Sequence, residues 1–158
     1  MQKITPFLWF DGKAEEAMKL YTSVFKNSKI TAIKYWEEGS PFPKGQVMTG
    51  KFEIEGMEFY AFDAGPMFKF TEAISMYVNC ETQEEVDEYW EKLTADGGQE
   101  SQCGWLKDKF GLSWQIIPKA LGEMMGDKDR AKAGRAMQAM MQMKKIDIKA
   151  LKDAYNGK

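Results

Sequence analysis

The chain has 158 residues, 44% of them apolar and 29% charged, with a net charge of -2, which is enough chain for a sizeable core. Basic residues are scattered until the C-terminal segment, so the clustered cationic face that nucleic acid requires is absent. No apolar run is long enough to span a membrane and no secretory h-region opens the chain, so a cytoplasmic protein is expected.

Ile4 to Phe10 is rich in bulky apolar and aromatic residues and reads as a strand that Asp11-Gly12 ends. From Ala14 to Phe25 the small and apolar residues (Ala14, Ala17, Met18, Tyr21, Val24, Phe25) recur at helical spacing, with Asp11 as the expected N-cap. Strands are expected over Lys29 to Glu37, Val47 to Ile54 and Met57 to Asp63, the last two joined by a tight turn at Glu55-Gly56. Ala73 to Asn79 opens a second series. Thr82-Gln83-Glu84-Glu85 is a capping-box-like helix start, Val86, Tyr89, Trp90 and Leu93 make its apolar stripe, and Asp96-Gly97-Gly98 stops it. Short strands follow at Glu100 to Gly104, Trp105 to Asp108 and Leu112 to Ile117.

The two series repeat one plan. Phe10-Asp11 leading into Ala14-Glu15-Glu16-Ala17 parallels Val78-Asn79 leading into Gln83-Glu84-Glu85-Val86, and the hairpin around Glu55-Gly56-Met57 parallels Phe110-Gly111-Leu112. An internal duplication of a βαβββ module is the economical reading. The fold class is therefore α+β, with modules at about 1–66 and 67–118 forming one domain and a helical extension over 119–158 packed on that domain or on a dimer partner. Met137, Met140 and Met141 share a face in the extension, which suits packing or an adaptable lid.

Histidine is absent, which excludes a His-based zinc site, a Ser-His-Asp triad and a Cys-His dyad. The two cysteines, Cys80 and Cys103, make neither a disulfide framework nor a CxxC pair.

Several stretches resemble the PhnB-like branch of the vicinal oxygen chelate superfamily, the branch described as 3-demethylubiquinone methyltransferase-like. They are Ile4-Thr5-Pro6-Phe7-Leu8-Trp9-Phe10-Asp11-Gly12, Ala14 to Ala17, Gln102 to Gly111, Ser113-Trp114-Gln115 and Met137 to Met140. No glycine-rich loop for S-adenosylmethionine follows the first strand. The resemblance implies a curved sheet forming a cup with helices outside, and a homodimer, sometimes with modules exchanged.

In metal-dependent relatives four sheet positions converge on an ion, and the resemblance places them near Thr5, Tyr60, Ala73 and Gln115, a set without carboxylate, imidazole or thiolate; a register shifted by one residue brings in only Glu72 as a good ligand, which is also a candidate cup carboxylate. No metal and no cofactor is therefore expected. Alternation along the strands puts Phe7 and Trp9 on the cup face with Thr5, Glu58 and Phe62 with Tyr60, Ser75, Tyr77 and Asn79 together, and Ser113 and Ile117 with Gln115. Leu8, Phe10, Phe59, Ile74, Met76, Val78, Trp114 and Ile116 are expected under the helices. Cys103 and Trp105 join the cup from the neighbouring hairpin. The expected ligand-binding set is thus Thr5, Phe7, Trp9, Tyr60, Phe62, Tyr77, Cys103, Trp105 and Gln115, aromatic with a few polar handles, which suits a flat or apolar small molecule. Glu58, Asp63 and Cys103 are the candidate catalytic residues, each with a plain structural alternative: a solvated hairpin residue for the two carboxylates, a buried thiol for the cysteine. Three functions stay open: a metal-free small-molecule binder of the bleomycin-resistance type, a lyase or isomerase using a cup carboxylate or a metal in an unexpected register, and a dimeric scaffold whose Met-rich tail docks a partner.

Overall fold

The computed structural model describes residues 1–158. The chain divides into two compact units, Met1–Phe70 and Thr71–Lys158.

The first unit contains β1 (Phe7–Phe10), α1 (Ala14–Val24), β2 (Lys29–Tyr35), β3 (Val47–Ile54) and β4 (Met57–Asp63), with sheet order β1-β4-β3-β2. Strand β1 runs parallel to β4 and the other pairs are antiparallel. The hairpin turn is confirmed in its backbone: Glu55 and Gly56 both have positive φ, 49° and 81°, as a two-residue type I′ turn requires. One face of the sheet is closed by α1, whose Ala14, Ala17, Met18, Tyr21 and Val24 are buried with Leu8, Phe10, Phe52, Phe59 and Ala61.

Asp11 does not cap α1. The N-cap position is Lys13, which makes no side-chain cap bond, and the Ala14 N–H instead donates to Asp63 Oδ1 at 3.0 Å. Asp63 Oδ2 accepts from Val47 N at 2.9 Å, and its carbonyl accepts from Trp36 Nε1 at 2.8 Å. A carboxylate from the last strand thus ties down both a helix start and a strand start, serving an otherwise orphaned helical N–H.

The second unit contains β5 (Ser75–Cys80), α2 (Gln83–Thr94), β6 (Gln99–Glu100), β7 (Trp105–Lys107) and β8 (Ser113–Pro118), in sheet order β5-β8-β7-β6, followed by α3 (Lys119–Met125), α4 (Arg130–Met141) and α5 (Ile148–Tyr155). Thr82 caps α2 through Glu85 N, and Glu85 returns a bond to Glu81 N, a variant of the expected capping box. The three final helices enclose a core of Ile117, Leu121, Met124, Ala136, Ile146 and Leu151. Gln83 joins this core to α2, donating to the Ile146 carbonyl and accepting from Ile148 N. Met140 and Met143 pack on the core, whereas Met137 and Met141 are exposed. The face shared by the tail methionines therefore serves packing only in part.

Strand register refines the repeat. Phe7 pairs with Tyr60, and Tyr77 pairs with Gln115. With Tyr60 equivalent to Gln115, the counterpart of Thr5 is Ser75 rather than Ala73, a shift of two residues that preserves the face. Ile74 lies before the strand and is exposed, against the expectation that it packs under a helix; Met76 and Val78 are only half-buried. Ile117, expected on the cup face, is buried in the tail core.

Candidate functional site

The face of the first sheet opposite α1 carries a run of rings. Alternation places Phe7 and Trp9 of β1 beside Tyr60 and Phe62 of β4, and the register sets Phe7 against Tyr60 and Trp9 against Phe62. Phe7 lies 5.6 Å from Tyr60 and 4.9 Å from Phe62, edge-on to the latter. Trp9 meets Phe62 and Phe68 edge-on, each at 4.9 Å. These are favourable aromatic geometries. Phe7 is nevertheless 54% exposed and Phe68 59%, so the cluster presents ring surface to solvent. Trp9 Nε1 donates to the Gly65 carbonyl at 2.9 Å, which holds the indole in place.

The corresponding face of the second sheet is more polar and more engaged. Tyr77, Gln115 and Trp105 lie in one row. Tyr77 is 55% exposed, while Gln115 Nε2 donates to Ser75 Oγ at 2.8 Å, so its amide is partly committed within the sheet. Cys103 is half-buried, takes the left-handed conformation (φ 58°), and donates its N–H to the Met143 carbonyl. It is therefore not the buried thiol; that position belongs to Cys80, whose thiol is pushed up to about 12 by burial and then by the Glu85 carboxylate.

The candidate carboxylates separate. Asp63 is 2% exposed and both oxygens are held by backbone N–H groups, so it is neither a solvated hairpin residue nor available to a ligand. The second unit has a buried carboxylate of its own at a different point of the plan: Asp108, in the turn between β7 and β8, accepts from Phe110 N, Leu112 N and Trp114 Nε1; sequence reasoning did not single it out. Glu72, on the exposed approach to β5, pairs with Lys107, whose hydrogen bond holds its carboxyl below the usual range. Glu58 is half-buried at the margin of the aromatic face, opposite Glu53.

Residues 2–117 match the family model described as 3-demethylubiquinone-9 3-methyltransferase. The chain belongs to this family. The PhnB protein of Bacillus cereus is 43% identical, with 74% of this chain covering 99% of that one at a TM-score of 0.70. Protein PA1353 from Pseudomonas aeruginosa is 21% identical over 75% of this chain and 98% of its own, at 0.63. FosX, the fosfomycin resistance protein of Listeria monocytogenes, is 16% identical over 77% of this chain and 94% of its own, at 0.56. No functionally curated protein matches the sequence. The fold is that of the vicinal oxygen chelate superfamily, which confirms the resemblance read from the sequence.

The four positions that the resemblance assigned to a metal form a donor set whose chemistry decides whether an ion fits. Corrected for register they are Thr5, Tyr60, Ser75 and Gln115: two hydroxyls, a phenol and an amide already bonded to one of those hydroxyls. Divalent ions are held by carboxylate, imidazole or thiolate groups, and no three such side chains gather anywhere in the structure. The set does not fit a divalent metal. No helix is long and apolar enough to cross a membrane.

Proposed function

We propose that this protein is a metal-free binder of small apolar or aromatic molecules, and that the ligand lies on the aromatic face of the first sheet. The observation that carries the reading is the exposure of Phe7 and Phe68 in a cluster otherwise packed at 4.9–5.6 Å. An open apolar patch of this kind marks an interaction site more often than a neutral surface, and ring edges and faces at these spacings accept a further flat ring. Tyr60 supplies a phenol at the margin of the platform. The homodimer expected for relatives of this family is part of the proposal.

A thermal-shift screen of aromatic and antibiotic compounds tests it. Hits should raise the melting temperature and lose their effect in Phe7→Ala and Phe62→Ala, while Mn(II) and EDTA leave it unchanged. Silence across the screen, or stabilisation by Mn(II) alone, would overturn the reading. Sedimentation with and without a hit compound reports whether the open face is used by a ligand or by a second copy.

Among the carboxylates the enzyme reading narrows to Glu58, because Asp63 is held by the backbone and Glu72 by Lys107. A lyase or isomerase acting through Glu58 would lose turnover in Glu58→Gln while keeping ligand affinity.

A further inference from the structure

The open face of the first sheet is divided by strand. Directly paired residues project from the same face, so the pairings Phe7–Tyr60, Tyr60–Lys51 and Lys51–Ala32 define one row across the sheet. In the neighbouring row Trp9 pairs with Phe62 and Thr49 with Lys34. The rings occupy β1 and β4; the hydroxyl and the two cations occupy β3 and β2. Lys51 Nζ lies 5.2 Å from the Tyr60 ring centroid, which fixes its ammonium at the border between the two halves.

The charges on this face are unequal in their engagement. Glu53 is paired with Lys29 at 3.7 Å. Glu58 stands opposite Glu53, so the margin beyond Tyr60 is acidic. Lys51 and Lys34 form no ion pair with any carboxylate. An ammonium beside a ring surface is less hydrated than one in open water, and it favours an incoming anion more than an isolated surface lysine does.

We infer that the ligand is an aromatic monoanion, a ring bearing a carboxylate or an equivalent acidic group. The ring rests on Phe7, Tyr60 and Phe62, and the anion meets Lys51 with the Thr49 hydroxyl and Lys34 behind it. Adjacent strands are about 4.8 Å apart, so a carboxylate one or two carbons from the ring spans from β4 to β3. Glu58 at the opposite margin sets the direction, since it repels the anion from that end. This inference rests on the aromatic-face reading above and adds the charge and the orientation of the ligand.

Three matched probes test it: 2-naphthylacetate, the neutral 2-naphthylacetamide and the cationic 2-(2-naphthyl)ethylamine, titrated calorimetrically at low salt. The acetate should bind about two- to fivefold more tightly than the amide, the scale of one partly shielded charge pair, and the amine most weakly. The preference should fall at 1 M salt, vanish in Lys51→Gln and survive in Lys51→Arg, with melting temperatures reporting that both variants fold. Equal binding of acetate and amide, or tighter binding of the amine, would overturn the inference and leave the aromatic-binding reading standing. Failure of all three probes to bind would overturn both.

Discussion

The two modules share a plan and differ in how they finish their sheets. In the first, the inner strand β3 and the edge strand β2 run eight and seven residues; in the second, their counterparts β7 and β6 run three and two. Where the second module lacks strand, the tail supplies the partner: Cys103 N and Gly104 N donate to the carbonyls of Met143 and Lys144, each at 2.8 Å. The tail also covers Ile117 at the end of β8. The first module thus completes its own sheet and leaves an aromatic face open, whereas the second depends on the extension. Truncation after Pro118 should therefore have the largest effect, abolishing cooperative folding of the second unit while the first keeps its hydrogen-exchange protection. Unaltered protection of β7 and β8 in the truncated chain would break the comparison.

The modules also place a buried carboxylate at different points of the same problem. Asp63 serves the N–H groups of Ala14 and Val47, and Asp108 those of Phe110 and Leu112 together with the Trp114 indole. Removing either acceptor strands buried donors, at about 1–3 kcal/mol each. Asp63→Ala and Asp108→Ala should each cost about 3–4 kcal/mol by urea denaturation. A loss under about 1 kcal/mol at either position would show that water replaces the carboxylate there.

The element order, the helix starts and the hairpin turn were legible because they rest on local signals: the helical spacing of Ala14, Ala17, Met18 and Tyr21, the Thr82 cap, the Glu55-Gly56 turn. The open face of the first sheet was legible for the same reason, since alternation alone separates Phe7 and Trp9 from Leu8 and Phe10. What was not legible was tertiary. Nothing near Asp11 says that Asp63, far along the chain, takes its place at the α1 start. Nor does the local pattern at Ile117 reveal that the tail returns to bury it. Lys51 was missed because a lone lysine in a strand reads as a wet residue until register sets it against Tyr60.

Gly50 and Gly104 hold equivalent positions in the two modules, one residue before Lys51, which pairs with Tyr60, and one before Trp105, which pairs with Gln115. A Cβ at Gly50 would lie 2.4 Å from Met18 Sδ, whereas one at Gly104 would meet Ile117 Cδ1 at 2.7 Å and Ile146 Cγ1 at 3.1 Å. The first glycine admits α1 and the second admits the tail. Met18 ends in a flexible thioether, but Gly104 also has φ +84°, a conformation that costs other residues about 1 kcal/mol or more. Gly50→Ala should cost about 1–2 kcal/mol and Gly104→Ala about 2–3 kcal/mol. The reverse order in thermal melts would mean that the tail adjusts more readily than α1.

The smallest effect separates Phe10 from its counterpart Cys80, the last paired residues of β1 and β5. Phe10 packs a ring against Phe70 at 5.3 Å; Cys80 places a thiol in the same position. Burial, with Glu85 adding to it, pushes that thiol up to about 12, while in the unfolded chain it ionises near the ordinary value of about 8.5. Between those values the folded state holds the proton and the unfolded state releases it, so stability is complete below about pH 8.5 and declines as pH rises. The melting temperature should fall more steeply from pH 8.5 to 10 in the natural chain than in Cys80→Ala. Cys103, being half-buried, should react with a thiol reagent in the folded protein at neutral pH, and Cys80 only on unfolding. Equal slopes for the two chains, or labelling of Cys80 without unfolding, would place Cys80 in contact with water and remove the distinction between the two strand ends.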